Sequence, residues 1–112
     1  KRIHYVPTGG NWKDVPEELF PSKRDNRHSN YMRRLDRNGQ SITIDTGHDV
    51  YFHPIFDRVP TVRESARIQS FPDKFKFLGT RCEQLRQVGN AVPPLLANVV
   101  AKGIIEVLDN EK

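Results

Sequence analysis

Two dense strings and one basic segment hold most of the residues whose types and spacing suit chemistry. The first string runs Thr61-Val62-Arg63-Glu64-Ser65-Ala66-Arg67-Ile68-Gln69-Ser70-Phe71-Pro72-Asp73, and the second Arg86-Gln87-Val88-Gly89-Asn90-Ala91-Val92-Pro93-Pro94-Leu95-Leu96-Ala97. In the second, Gly89 and Asn90 read as a tight turn just before a helix. Free backbone amides and the Asn90 carboxamide there suit hydrogen bonding to a polar ligand, with a plain helix-capping turn as the competing reading. The basic segment carries six cations, Lys23, Arg24, Arg27, Arg33, Arg34 and Arg37, against Asp25 and Asp36, and so holds the whole net excess of +4. Arg and Asn suit phosphate oxygens and base edges, which makes this segment the nucleic-acid candidate. A solvated basic loop is the alternative.

Other chemistries find little support. His4, His28, His48, His53 and Cys82 lack zinc-ligand spacing, so no metal site is expected. No Gly-rich phosphate loop occurs. Cys82 stands beside Arg81 near an expected helix start, the minimum for a lowered thiol pKa, but no base neighbours it in sequence and a structural role is favoured.

These residues belong to a chain of 112 residues, 36% hydrophobic and 29% charged, enough for one modest domain and too short for an enzyme with separate cofactor and substrate domains. A single cysteine excludes an internal disulfide and fits a reducing compartment. The longest apolar run, near the C-terminus, falls short of the ~20 residues that span a bilayer, so no membrane role is expected and a cytoplasmic, nucleoid-associated location is. The chain opens on Lys1 rather than Met, which reads as a fragment or a processed chain.

The elements that must position the two strings announce themselves by their caps. Thr61 to Glu64 and Thr80 to Glu83 are capping boxes, which predict a helix from about Val62 to Ser70 and a shorter one ending near Val88-Gly89. Val92, Leu95, Leu96, Val99, Val100, Gly103, Ile104, Val107 and Leu108 fall at spacings of three and four, one broad apolar stripe on a helix of about 16 residues that opens on Pro93 and Pro94. Few short strands are available to cover it, so part of its partner surface is expected on another polypeptide or a missing portion of this one. Up to Gly39 the sequence reads as loops with short strands. Ser41 to Thr46 alternates as a strand and Val50 to His53 is a second β-prone run, with a hairpin turn through Gly47-His48-Asp49. Lys74 to Leu78 reads as a short extended piece.

The two strings resemble the ninth and tenth signature motifs of the DNA cytosine-5 methyltransferases, in that order and at family-like separation. Gly9-Gly10-Asn11-Trp12-Lys13-Asp14-Val15-Pro16-Glu17-Glu18-Leu19 is similar to a stretch of the family's target-recognition region, and Tyr31-Met32-Arg33-Arg34-Leu35 followed by Ser41-Ile42-Thr43-Ile44 to its end. The resemblance implies an α+β fragment. Residues 1–58 would be the C-terminal portion of the recognition region, with short strands, and residues 59–112 helices that complete the α/β S-adenosylmethionine-dependent methyltransferase domain. It implies that Gly89, Asn90 and Ala91 form a wall of the S-adenosylmethionine pocket. Thr43 would contact the backbone of double-stranded DNA, with Arg33, Arg34 and Arg37 as further DNA contacts supported by charge. Arg63, Glu64 and Arg67 would organise the recognition region, and the last helix would pack on the sheet of the large catalytic domain.

Departures from the family pattern limit what the chain does alone. The Gly-rich cofactor motif, the Pro-Cys dipeptide of the nucleophile, the Glu-Asn-Val motif and the Arg-rich motif before the recognition region are all missing, and Cys82 does not follow a Pro. No catalytic residue is expected here. The partner implied is the N-terminal methyltransferase portion or a complementary subunit, with self-association through the last helix when it is absent. A catalytically inactive DNA-binding or scaffolding remnant is the other reading.

Overall fold

The computed structural model describes residues 2–20, 31–46 and 51–112. Lys23, Arg24 and Arg27 and the expected turn at Gly47-His48-Asp49 lie outside the described residues. Three short 3-10 helices, Arg2–Tyr5, Trp12–Asp14 and Glu17–Leu19, open the chain. The middle one is held by a capping box in which the Asn11 side chain accepts from Lys13 N and Asp14 Oδ2 accepts from Asn11 N. This short device is what the Gly- and Asn-rich stretch codes for, and it turns Trp12 inward. Val6, Trp12, Val15, Phe20, Met32 and Phe52 form the first core cluster around that indole.

Strand β1 (Arg33–Arg34) pairs in parallel with β2 (Tyr51–Phe52), in the register Arg33 to Tyr51 and Arg34 to Phe52. The second β-prone run therefore forms a strand, but not in the expected hairpin. Ser41 to Thr46 forms no strand. Its alternation is nonetheless used, because Ile44 is buried and Ile42 half-buried while Ser41, Thr43 and Asp45 face outward. Two local bonds take backbone groups that a ladder would need: Asp45 Oδ1 accepts from Thr46 N at 2.6 Å, and Ser41 Oγ donates to Ile42 O at 2.8 Å. Alternation reports one buried face, not which strand lies alongside.

Both capping boxes form as expected. Helix α1 (Val62–Ile68) starts with Thr61 Oγ1 accepting from Glu64 N and Glu64 Oε2 accepting from Thr61 N. Helix α2 (Arg81–Asn90) repeats this with Thr80 and Glu83. The two helices pack together over a second core cluster of Leu35, Ile44, Tyr51, Ala66 and Val88, which draws on both sides of residue 58. Inside it the Tyr51 and Ser65 hydroxyls, both buried, bond each other at 2.9 Å. Lys74 to Leu78 forms no strand; Phe71, Phe75 and Phe77 instead cluster with ring centres 5.0 to 5.1 Å apart.

Helix α3 (Pro94–Asn110) has Pro93 as its N-cap and Pro94 in its first turn. None of its residues is buried, and Leu95 is 70% exposed. Asn98, Lys102, Glu106 and Asp109 line one narrow polar stripe, which leaves about two-thirds of the circumference apolar or small. The stretch Arg81–Asn110 reaches mean hydropathy 1.6 over 18 residues. By length and composition alone it thus meets the measure of a membrane-crossing helix, which the run of apolar letters did not suggest. Pro93 divides it into α2 and α3, and the latter rises only ~25 Å against a hydrocarbon core of ~30 Å.

Candidate functional site

The site is built where α2 ends and α3 begins. Gly89 and Asn90 are the last two residues of α2, so the turn expected at them falls one step later, at Ala91 to Pro93. The glycine is needed for a close approach and not for a turn. A Cβ on Gly89 would meet Thr46 N at 2.6 Å and the Asp45 carbonyl carbon at 2.7 Å. The last turn of α2 therefore rests directly on the backbone of the segment that carries Thr43. Val88, fully buried beside Ile44, anchors that contact.

Asn90 is exposed and Ala91 half-buried. The Asn90 carboxamide borders an open concavity of about 460 Å³ shared with Leu78, Gly79, Glu83, Arg86 and Gln87. Several polar groups there are already spent: Gln87 Nε2 donates to Leu78 O at 2.9 Å, and the Thr80 amide holds the Glu83 carboxyl below its ordinary pKa. The concavity is a wall and not an enclosed site. The Asn90 carboxamide thus stands beside a shallow surface of apolar and charged groups, open on its outer side.

Two residues that sequence reasoning passed over brace this turn. Gln69 Nε2 donates to Val88 O at 3.1 Å and to Ala91 O at 3.4 Å, and Ser70 Oγ accepts from Leu95 N at 3.2 Å. The signal available in the sequence was their position at the end of the first string, immediately after a capped helix.

The basic residues divide sharply. Arg37 is exposed and Arg33 half-buried. Arg34 is 5% exposed, and all five of its N–H donors are engaged inside the chain. Nε donates to Val6 O at 2.6 Å, Nη1 to His53 O and Phe56 O, and Nη2 to Ile3 O and Asp57 Oδ1. Expected at the surface as a DNA contact, Arg34 is instead a clamp joining the N-terminal segment to the loop after β2. A cation count carries no information on burial. Thr43 faces outward between the two inward isoleucines.

The charged residues of the first string are likewise partnered within the chain, Arg63 and Glu64 half-buried and Arg67 and Asp73 exposed. Arg58 grips both Glu64 carboxylate oxygens at 2.8 Å, which with the Thr61 amide brings the Glu64 pKa down to about 2. Arg67 pairs with Asp73 through two 2.8 Å bonds, and Arg63 donates to Phe75 O at 2.6 Å. A cavity of about 340 Å³ lies between Leu35, Asp36, His53, Pro54, Glu64 and Ile68, where the Glu64 carboxylate is already held by Arg58. Among the described residues no three His, Cys, Asp or Glu side chains come together as metal ligands. Cys82 is exposed in the first turn of α2.

Comparison with known proteins identifies the family of this chain. The family model described as C-5 cytosine-specific DNA methylase matches residues 4–106. The chain is 42% identical over 112 residues to the type II methyltransferase M1.HphI of Haemophilus parahaemolyticus, covering 99% of this chain and 29% of that protein. It is 38% identical over 113 residues to the type II methyltransferase M.NgoFVII of Neisseria gonorrhoeae, covering 98% of this chain and 30% of that protein. A third relative, the type II methyltransferase M.AquIB of a Picosynechococcus strain, is 47% identical over 88 residues, 68% of this chain and 63% of that protein. The chain thus spans under a third of the first two relatives and under two-thirds of the third.

Proposed function

The chain belongs to the C-5 cytosine-specific DNA methylase family, and on that premise we propose that it works as the C-terminal part of a DNA cytosine-5 methyltransferase. The observation that carries the reading is the pairing of an open concavity at Asn90 with a long apolar helix that the described residues leave uncovered. Both are halves of something. An apolar surface over about two-thirds of a helix needs cover on more than one side, which a single partner helix does not provide. The sheet of the catalytic domain, on the N-terminal portion or a partner chain, is the cover that fits. Left bare, α3 drives self-association of the isolated chain.

In this reading S-adenosylmethionine supplies an activated methyl group. The Asn90 carboxamide and the Gly89 and Ala91 backbone bound one side of it and restrict its orientation. Thr43 bonds a DNA backbone phosphate, and Arg33 and Arg37 add charge along the same strand. Arg34 holds the recognition region together. The thiolate that attacks C6 of the extruded cytosine, the transfer to C5 and the removal of the C5 proton belong to residues outside this chain. Cys82, exposed on α2 and not preceded by Pro, has no part in that chemistry.

The test is transfer of labelled methyl groups from S-adenosylmethionine to cytosine-containing DNA. It is run with this chain alone and with a chain that carries the Pro-Cys and Gly-rich motifs. Activity in the mixture alone is the expected result. If the complement binds this chain and still transfers nothing, the catalytic reading fails and a DNA-binding or scaffolding remnant replaces it.

A further inference from the structure

Gln69 is the C-cap of α1, and Ser70 follows it with φ +63°. Ser70 N donates to Arg67 O at 2.9 Å and Phe71 N to Ala66 O at 2.9 Å, the bond pair of a Schellman ending. The left-handed residue of that ending favours glycine, because a Cβ crowds the backbone there. Here it is serine, and its hydroxyl has a use that glycine lacks. It accepts from Leu95 N, a first-turn amide of α3 with no partner within its own helix. One residue earlier, the Gln69 carboxamide donates to the carbonyls of Val88 and Ala91, which flank Gly89 and Asn90. Two adjacent side chains thus grip the turn from both ends.

Resting on the reading of Asn90 as a cofactor wall, we propose that Gln69 and Ser70 are positioning residues for that wall, which set where Asn90 stands without touching the cofactor. Ser70 accepts a conformation that costs α1 stability and in return fixes the start of α3. Gln69 fixes the end of α2. Asn90 sits in the short span between the two grips, so releasing either lets its carboxamide wander.

The variants Ser70→Gly, Gln69→Glu and Asn90→Ala, made in the enzyme assembled with its catalytic portion, test this. Binding of S-adenosylhomocysteine by calorimetry without DNA, DNA affinity and melting temperature are measured on each. Ser70→Gly relieves the left-handed strain, so it keeps or raises the melting temperature and keeps DNA affinity while binding S-adenosylhomocysteine about fivefold more weakly. Gln69→Glu swaps a donor for an acceptor facing two carbonyls and weakens that binding about tenfold. In the cofactor-free protein, the Asn90 carboxamide NMR resonances shift in both variants. Wild-type binding by both variants, with Asn90→Ala impaired, overturns the clamp and leaves the wall. Loss of cofactor affinity, DNA affinity and melting temperature together overturns it as well, since that is plain destabilisation. Wild-type binding by Asn90→Ala removes the wall itself, and the clamp with it.

Discussion

The backbone amide of Thr46 lies so close to Gly89 that a methyl group on that Cα would stand 2.6 Å from the nitrogen. In an ordinary helix Gly→Ala stabilises by about 1 kcal/mol. Gly89→Ala is expected to do the reverse and cost about 1–3 kcal/mol, because backbone must move to admit the Cβ. A urea denaturation midpoint measures this. A midpoint equal to or above the parent's would mean that the 45–46 segment yields freely.

Tyr51 and Ser65 satisfy each other's hydroxyls within the core, and burial pushes the Tyr51 pKa up. Tyr51→Phe leaves Ser65 without its partner and is expected to cost about 1–2 kcal/mol. The double variant Tyr51→Phe with Ser65→Ala should lose less than the two single losses combined. Thermal melts of the four proteins complete the cycle, and strict additivity would show that the pair is not coupled.

Arg34 and Arg37 are three residues apart and should behave oppositely. Arg34→Lys removes a planar fork that bonds five acceptors and is expected to destabilise by about 3 kcal/mol. Arg37→Ala leaves stability within about 0.5 kcal/mol. In the assembled enzyme it weakens DNA binding and flattens its salt dependence. Melting together with salt-titrated DNA binding separates the two roles. An unchanged melt for Arg34→Lys would contradict the clamp.

The Arg58 guanidinium and the Thr61 amide hold Glu64 at about 2 in the fold, against 4.5 for the free side chain. A carboxyl whose pKa is depressed by folding stabilises fully above its unfolded value. The contribution is lost as pH falls from 4.5 towards about 2. Asp73, lowered by Arg67, acts in the same direction. Stability followed by denaturation from pH 6 to about pH 2 should drop across this window, and Glu64→Gln should flatten the drop. An equally steep limb in that variant would assign acid lability to other groups.

Ile104 lies on the uncovered face of α3. Ile104→Glu is expected to reduce self-association of the isolated chain in light scattering, with little change in its melting temperature. The same variant should fail to complement the catalytic portion. Retained complementation would move the docking surface away from this helix.

Much of this protein was legible in its letters. Capping boxes are local, three residues deep, and Thr61 with Glu64 and Thr80 with Glu83 formed as their spacing implied. The stripe from Val92 to Leu108 predicted both a helix and its want of a partner, because periodicity records the face that must be buried whether or not the cover is present. Family membership was carried by the two strings. Pairing was not legible. Ile42 and Ile44 point inward as their alternation required, yet β2 found its neighbour in Arg33–Arg34, and the Ile44 segment lay down on Gly89.

Sequence by itself determined the helix starts, the apolar faces and the kinship, since each is written in neighbours a few residues apart or in long strings of specific letters. Tertiary structure alone decided that Arg34 is a buried clamp while Arg37 stays in water, that Gly89 serves a close approach, and that Gln69 and Ser70 brace the turn after Asn90. Each of these depends on which distant backbone carbonyl or amide arrives beside the side chain, and no local pattern encodes that arrival.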